Sequence, residues 1–378
     1  MSPNLLSTEK FKPHYVPTLD GLRGIAAIMV VIYHLWQDGF FAQLPISSNL
    51  LRVSIFGQTG VDLFFVLSGF LITRILLSAK ESHRYFRNFY GRRALRIFPL
   101  YYFILIVTYF IIPILSKTEI TPFSEQAWYW FYLQNIPHTL NELTIYWQNI
   151  PYTFIELKAS GPIHFWSLAV EEHFYLIWPF LIYLIPNRRL LILCFSTVAI
   201  AIFSRLIFLS LGVAIGQFWT FTLCRVDAIA IGAMLAVAEP LFRANKSHIR
   251  TLAWCTISMG IALLIAWPLF SKSGSIWVSL FRYTVLACFY GGLVGTVAFL
   301  KSFPGRSFFE SPGLVLCGTI SYGIYVYHPF CLKFSHDFLS NQNMNLQALV
   351  GFFSSLVIAY ISFHIFEKPF LRLKKFFE

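Results

Sequence analysis

Ten apolar runs of spanning or near-spanning length recur along this chain, separated by short polar joins. They cover about 21–37, 59–79, 97–115, 166–185, 190–211, 217–238, 252–270, 280–300, 313–334 and 347–366. A hydrocarbon core roughly 30 Å thick is crossed by about 20 apolar residues in a helix. Within lipid, a helix satisfies its own backbone hydrogen bonds. The pattern therefore predicts an all-α polytopic membrane protein with about ten transmembrane helices.

The composition agrees with one membrane domain and argues against a soluble core. Hydrophobic residues make up 57% of the chain and charged residues only 12%, about half the charged fraction of an ordinary soluble domain. The formal charge of +12 does not indicate a nucleic-acid-binding surface. Lys and Arg cluster in the joins between apolar runs, where basic residues indicate membrane topology. We expect membrane lipid as a partner and no nucleic acid.

The basic joins alternate, and this alternation predicts the orientation of the chain. Placing the N-terminus inside puts the basic joins at 80–96, 188–189, 243–250, 301–306 and 368–375 on the cytoplasmic side. The positive-inside rule then predicts that both termini are cytoplasmic. We expect a single domain over 1–378, with a cytoplasmic segment 1–20, an outer loop 117–165 and a cytoplasmic tail 368–378. The first apolar run has no cleavage pattern after it and is interpreted as an uncleaved span.

The predicted outer loop is rich in aromatic residues and poor in charge. Its aromatic side chains are Trp128, Tyr129, Trp130, Tyr132, Trp147 and Tyr152. One interpretation is an interfacial aromatic belt or a re-entrant segment. The other is a platform on which a sugar or another acceptor stacks at the outer face.

Arg23 and His34 give the first run an ionisable group near each end. Eleven residues of helix return the chain to within about 20° of the same face, and about 1.5 Å per residue separates the two groups by some 16 Å. Ionisable groups within a span are functional hypotheses by default. The alternatives are an interfacial Arg23 paired with Asp20 at i,i+3 and an interhelical, hydrogen-bonded His34.

A second polar cluster begins the apolar run at 166–185. Glu171, Glu172 and His173 interrupt it, and adjacent helix positions diverge by about 100°, so only one of the two acids faces a central cavity well. A carboxylate there would orient His34 or take a proton itself. The alternative is charge that complements the helix dipole, which explains one acid better than two.

Arg93 and Arg96 form a third cluster. They are i,i+3 neighbours beside the predicted start of the third helix, able to clamp a phosphate together. The alternative is the positive-inside signal alone.

Smaller polar features lie on other helices. Ser68, with Asp62 and Thr73, lies on a glycine-bearing helix, for which close packing is the default interpretation. Arg225 and Asp227 suggest an internal ion pair. The ninth run has a polar and aromatic half, formed by Ser321, Tyr322, Tyr325, Tyr327 and His328. The six cysteines fall singly in apolar stretches and support no metal site.

Several of these stretches occur together in one order. They are Leu19-Asp20-Gly21-Leu22-Arg23-Gly24 leading to His34, Gly60 to Phe70 (GVDLFFVLSGF), Arg92 to Pro99 (RRALRIFP), Trp166 to Glu172 (WSLAVEE), Arg225-Val226-Asp227-Ala228 and Ser321-Tyr322-Gly323-Ile324-Tyr325. Over most of its length the chain thereby resembles the family-three membrane acyltransferases, integral membrane O-acyltransferases that decorate bacterial surface glycans.

The resemblance implies a ten-helix enzyme of the bacterial inner membrane. Such an enzyme passes an acyl group, usually acetyl, from cytosolic acyl-CoA to a hydroxyl of a glycan or glycolipid acceptor outside. The resemblance matches the family's paired arginine and histidine to Arg23 and His34, and its R-x-x-R to Arg93 and Arg96. Together with the residue patterns above, it gives an expected site with no metal. His34, as general base or transient acyl carrier, Glu171 and Glu172 are its catalytic residues, Arg23, Arg93 and Arg96 its acyl-CoA ligands, and Asp20, Ser68, Trp166, Tyr325 and His328 its substrate ligands. Some members carry an extra helix and a C-terminal esterase-like domain. This sequence ends at Glu378, which leaves open a separate acyl-accepting partner protein.

A rival function from another class is a polytopic transporter or acyl-group exporter without transferase chemistry of its own. Polar groups inside spans also mark transport paths. A marked internal repeat would favour transport, and the sequence shows none.

Overall fold

The computed structural model describes residues 15–39, 56–137, 139, 160–211, 219–271 and 275–377. Every regular element within these residues is helical. The longer helices are α1 (Pro17–Gln37), α2 (Gly60–Ala79), α3 (Tyr85–Ile106), α4 (Phe123–Trp130), α5 (Trp166–Leu184), α6 (Leu190–Ser210), α7 (Val226–Ala244), α8 (Lys246–Ser271), α9 (Ile276–Phe299), α10 (Pro312–Thr319), α11 (Ser321–Phe338) and α12 (Met344–Ser362). Helix α3 continues to Ser116 through a π-helical turn at Val107–Ile111.

The prediction of an all-α polytopic membrane protein is confirmed. Seven helices in the described part of the chain are long and apolar enough to cross a membrane, and α10 with α11 forms an eighth span if this bent pair counts as one. All ten predicted apolar runs overlap a helix. Helices α5 and α7 correspond to predicted apolar runs but are not among these seven or eight candidate spans. Charged side chains interrupt them, among them Glu171 and Glu172 in α5 and Asp227 in α7.

The third span starts much earlier than hydropathy predicts. Helix α3 begins at Tyr85, twelve residues before the apolar run at 97–115, because aromatic and basic residues in its first turns depress the hydropathy without disfavouring a helix. At about 1.5 Å per residue, Arg93 lies some 12 Å along the helix from its first residue. It is therefore well inside the helix and not beside its start.

The ninth predicted span is broken. Helices α10 and α11 meet at Ile320 with a bend of 78°. No proline lies at the bend, so the sequence carries no strong signal for it. In the segment 117–165, for which an outer position stays a prediction, α4 is helical and the Tyr102 ring stacks on Trp130 with centroids 5.8 Å apart. Trp147 and Tyr152 lie outside the described residues.

The chain divides into two compact units that interleave along the sequence. The first unit consists chiefly of Ser68–Pro240 and Leu269–Cys288, and the second chiefly of Lys12–Leu67, Leu241–Pro268 and Phe289–Glu378. Each unit is described by itself below.

Within the first unit, α2 and α7 are in backbone contact. A methyl group on Gly69 would overlap the carbonyl oxygen of Ile229, so glycine permits this approach. Small residues at helix crossings are the main means by which membrane helices pack tightly. This confirms close packing as the interpretation of the glycine-bearing second helix.

A fully buried ion pair joins three helices of the first unit. The Arg205 guanidinium of α6 pairs with the Asp227 carboxylate of α7, and both side chains are fully buried. Arg205 also donates to the Leu280 carbonyl at 2.7 Å and to the Thr284 hydroxyl at 3.0 Å on α9, and Thr284 donates to Asp227 at 2.6 Å. The partner of Asp227 here is thus Arg205, and Arg225 lies 3.9 Å above the Tyr283 ring.

We expect Asp227→Ala to destabilise the protein by about 3–5 kcal/mol, because it leaves the Arg205 charge buried and uncompensated. Thermal unfolding in detergent measures this. The control is Glu310→Ala, which breaks the partly exposed Arg306–Glu310 pair and should cost about 1 kcal/mol or less. Equal effects of the two substitutions would contradict a structural role for the buried pair.

Candidate functional site

In the second unit, α1 carries three of the predicted site residues on one continuous helix. Arg23 donates from Nη1 to Asp20 Oδ1 at 3.1 Å, and the two side chains keep 32% and 16% of their exposure. This confirms the i,i+3 pairing that the sequence suggested as the alternative for Arg23. The pair remains accessible enough to receive a further polar group.

The broken helix holds the start of this site in place. A methyl group on Gly318, in the last turn of α10, would overlap the carbonyl oxygen of Asp20. The Ser321 hydroxyl at the start of α11 donates to the Gly318 carbonyl at 2.8 Å. The backbone under the Asp20–Arg23 pair therefore rests directly on the bend between α10 and α11.

The second end of the site is a histidine pair formed by α1 and α11. His328 Nε2 lies 3.3 Å from His34 Nδ1, with ring centroids 4.8 Å apart. His34 Nδ1 is also 2.9 Å from the Val30 carbonyl oxygen. His328 is fully buried, whereas His34 is only partly buried. The structure thus brings two predicted site residues together from opposite ends of the chain.

Side chains around the histidine pair shape its surroundings. The Tyr325 ring, 7% exposed, lies 5.8 Å from the His328 ring and 6.4 Å from Phe64. Asp38, just after α1, follows His34 by four residues. Burial raises the pKa of the Asp38 carboxyl, and the charges of His34 and His336 partly lower it. Sequence analysis missed Asp38, although the i,i+4 spacing on a helix is a usable signal.

In the first unit, Ser68 links Glu171 to Tyr175. The Ser68 hydroxyl donates to Glu171 Oε1 at 2.6 Å and lies 2.6 Å from the Tyr175 hydroxyl. Since the Ser68 proton points to the carboxylate, the Tyr175 hydroxyl is the donor to Ser68. Sequence analysis missed Tyr175, although it lies one helical turn after Glu171.

Arg93 belongs to the same cluster. Its guanidinium lies 5.1 Å from the centre of the Tyr175 ring and 6.0 Å from that of Phe89. The Tyr90 hydroxyl on the same helix donates to the Leu176 carbonyl oxygen at 2.8 Å. Helix α3 therefore brings Arg93 beside the middle of α5, while Arg96, one turn further, is half-buried.

Glu172, His173 and Trp166 face other partners. Oε1 of Glu172 is buried and has no hydrogen-bond partner among the described residues. His173 Nδ1 lies 2.7 Å from the Thr222 hydroxyl. The Trp166 ring is 4.8 Å from that of Trp219 and 5.5 Å from the Arg225 guanidinium. The two adjacent acids thus have different environments, as the 100° helical step requires.

No group of three or more His, Cys, Asp or Glu side chains within the described ranges is arranged to hold a metal ion. The polar clusters instead offer an imidazole, carboxylates, hydroxyls and guanidinium groups. These are the groups that proton transfer and anion binding use.

The fold and these motifs are those of a membrane-embedded acyltransferase. A comparison with family models gives the family. The model of the acyltransferase domain, acyltransferase family 3, matches residues 16–364. The chain therefore belongs to acyltransferase family 3.

Two similar curated proteins are bacterial. The chain is 28% identical to the peptidoglycan O-acetyltransferase OatA of Listeria monocytogenes serovar 1/2a, over 96% of this chain and 57% of that protein. It is 28% identical to YrhL of Bacillus subtilis (strain 168), provisionally named a peptidoglycan O-acetyltransferase, over 94% of this chain and 55% of that protein. The chain thus spans little more than half the length of these relatives. Among solved structures, no significant match was found.

The bend between α10 and α11 offers a matched test. We expect Gly318→Ala to lower the unfolding temperature markedly and to reduce any activity of the protein, because the added methyl group pushes α10 away from the Asp20 backbone. Gly313→Ala, in the same helix with open space around the new methyl group, should be neutral or slightly stabilising. Thermal unfolding of the two variants measures the difference, and equal stability would contradict the contact.

Proposed function

We propose that this protein is an O-acyltransferase of the bacterial inner membrane that transfers an acyl group, most simply acetyl, from cytoplasmic acyl-CoA to a hydroxyl of a surface glycan. Family membership supports acyl transfer, and the name of the Listeria relative supports O-acetylation of peptidoglycan. The observation that supports the chemistry is the contact of His34 Nδ1 with the Val30 carbonyl oxygen within α1.

The contacts of His34 leave one nitrogen free to act as a base. The Val30 carbonyl oxygen, 2.9 Å from Nδ1, can only accept a hydrogen bond. Neutral His34 therefore carries its proton on Nδ1, and Nε2 keeps a lone pair. An unprotonated imidazole nitrogen is the usual general base at neutral pH.

The proposed reaction balances without another reactant. The acceptor hydroxyl gives its proton to His34 Nε2 as its oxygen attacks the thioester carbonyl carbon. The tetrahedral intermediate then collapses, the carbon–sulfur bond breaks, and the CoA thiolate takes a proton from His34. The products are an O-acyl ester and free CoA, and His34 returns to its neutral form.

Charged groups elsewhere in the chain suit the donor and the developing charge. We assign Arg93 and Arg96 to the phosphates of the acyl donor, because guanidinium groups bind phosphate oxygens with charge-assisted hydrogen bonds. The partly exposed Arg23, already held by Asp20, has further donors to offer to a carbonyl or phosphate oxygen. Glu171, held by Ser68, is assigned as a second proton-accepting group.

Membranes containing the protein should transfer label from [¹⁴C]acetyl-CoA to an endogenous glycan, from which mild base releases acetate. We expect His34→Ala to abolish this labelling, because it removes the base. His83→Ala replaces an exposed histidine in the turn before α3 and should label like the wild type. Full labelling by His34→Ala would remove His34 from the mechanism.

Arg96→Ala should raise the KM for acetyl-CoA about 10- to 100-fold, since a charge-assisted hydrogen bond contributes about 1.5–3 kcal/mol. Its kcat should change much less. Arg87→Ala, an exposed arginine in the first turns of the same helix, is the control. An unchanged KM in Arg96→Ala would contradict the assignment to the donor.

The bend of 78° between α10 and α11 favours a transporter as the second candidate, since discontinuous helices form the substrate sites of many transporters. The labelling assay separates the two functions. Movement of an acyl compound across vesicles without consumption of acetyl-CoA would favour transport.

A further inference from the structure

His328, in the histidine pair of the second unit, has contacts that define where its ring proton lies. His328 Nδ1 lies 2.8 Å from the Tyr325 carbonyl oxygen and 3.1 Å from that of Ile324. Carbonyl oxygens accept only, so the proton of neutral His328 is on Nδ1. Its Nε2 must then carry a lone pair, and this nitrogen faces His34 Nδ1 at 3.3 Å.

We propose that His328 is a positioning residue whose Nε2 accepts a hydrogen bond from His34 Nδ1–H and holds the basic Nε2 of His34 ready for the acceptor hydroxyl. This inference rests on the proposed function, in which His34 is the general base. It assigns to a neutral imidazole the place that a carboxylate holds in a Ser-His-Asp triad.

The geometry supports a defined chain of donors and acceptors. The two backbone carbonyl oxygens of α11 fix the His328 proton on Nδ1. The His34 Nδ1–H is shared between the Val30 carbonyl oxygen at 2.9 Å and His328 Nε2 at 3.3 Å, a three-centre hydrogen bond with one donor and two acceptors. Because His328 is fully buried, water does not compete for its Nε2.

The pair also stabilises the protonated state that catalysis requires. When His34 takes the acceptor proton on Nε2, positive charge spreads to its Nδ1–H group. A lone pair 3.3 Å away stabilises that charge through a stronger hydrogen bond. A neutral acceptor does this without placing a buried anion in the site, where an unpaired charge would be costly.

The role of the acceptor nitrogen is tested by three substitutions at one position. His328→Phe fills the same space but has no acceptor. We expect kcat to fall about 10- to 100-fold with an unchanged KM for acetyl-CoA, the size of loss found when the hydrogen-bond partner that orients a metal-ligating histidine is removed. His328→Gln places an amide oxygen near the position of Nε2 and should recover most of the lost kcat. His328→Asn is too short to place an acceptor there and should resemble His328→Phe.

Thermal unfolding of each variant in detergent separates positioning from packing. A folded His328→Phe variant with wild-type kcat would overturn the proposal. So would equal losses in folded His328→Gln and His328→Phe variants, since the effect would then follow the shape of the side chain and not its acceptor.

The wild-type protein supplies a further, spectroscopic test. In protein labelled with ¹⁵N-histidine, nuclear magnetic resonance should show His34 as the Nδ1–H tautomer and a through-hydrogen-bond coupling between His34 Nδ1 and His328 Nε2. The His34→Ala spectrum identifies the signals. A His34 that is protonated on Nε2 alone would overturn the proposal. If the coupling is found but His34→Ala remains fully active, the pair exists as inferred and the proposed general base is wrong.

Discussion

Lipid offers no hydrogen-bond partner, so every polar group inside a membrane protein must find one within the chain. This constraint accounts for the clustering of polar side chains in the structure. Arg205 meets it fully, with Asp227, Thr284 and a backbone carbonyl around its guanidinium. The Arg23–Asp20 pair and His34 have partners but remain partly exposed. We interpret the fully buried Arg205–Asp227 pair as structural and the partly exposed groups as candidates for contact with substrate.

The bend between α10 and α11 shows how the second unit builds its polar site. In a straight helix, the backbone N–H and C=O groups hydrogen-bond only within that helix. By breaking at Ile320, the chain brings Gly318 against the backbone of Asp20 and starts a new helix two turns before His328. The same break therefore supports the Asp20–Arg23 pair at one end of α1 and directs His328 toward His34 at the other.

Much of the fold could be predicted from the sequence because hydropathy is a local property. All ten apolar runs correspond to helices, and the i,i+3 pairing of Asp20 with Arg23 was visible from spacing alone. Hydropathy did not predict the start of α3, where polar and aromatic residues at Tyr85–Arg96 are helical. It also did not predict the bend at Ile320, where no proline marks the break. It also could not pair residues that are distant in sequence. His34 and His328 are separated by 294 residues, and Asp227 was matched to its neighbour Arg225 when its partner proved to be Arg205.

The central claim is that His34 presents an unprotonated Nε2 to the acceptor hydroxyl, beside the bound acyl donor. Diethyl pyrocarbonate modifies unprotonated imidazole nitrogens, and mass spectrometry locates the modified residues. We predict that His34 is modified in the intact protein in membranes, that acetyl-CoA protects it, and that the exposed His83 is modified equally with and without acetyl-CoA. Modification of His34 at the same rate with saturating acetyl-CoA, or no modification while His83 reacts, would contradict the account.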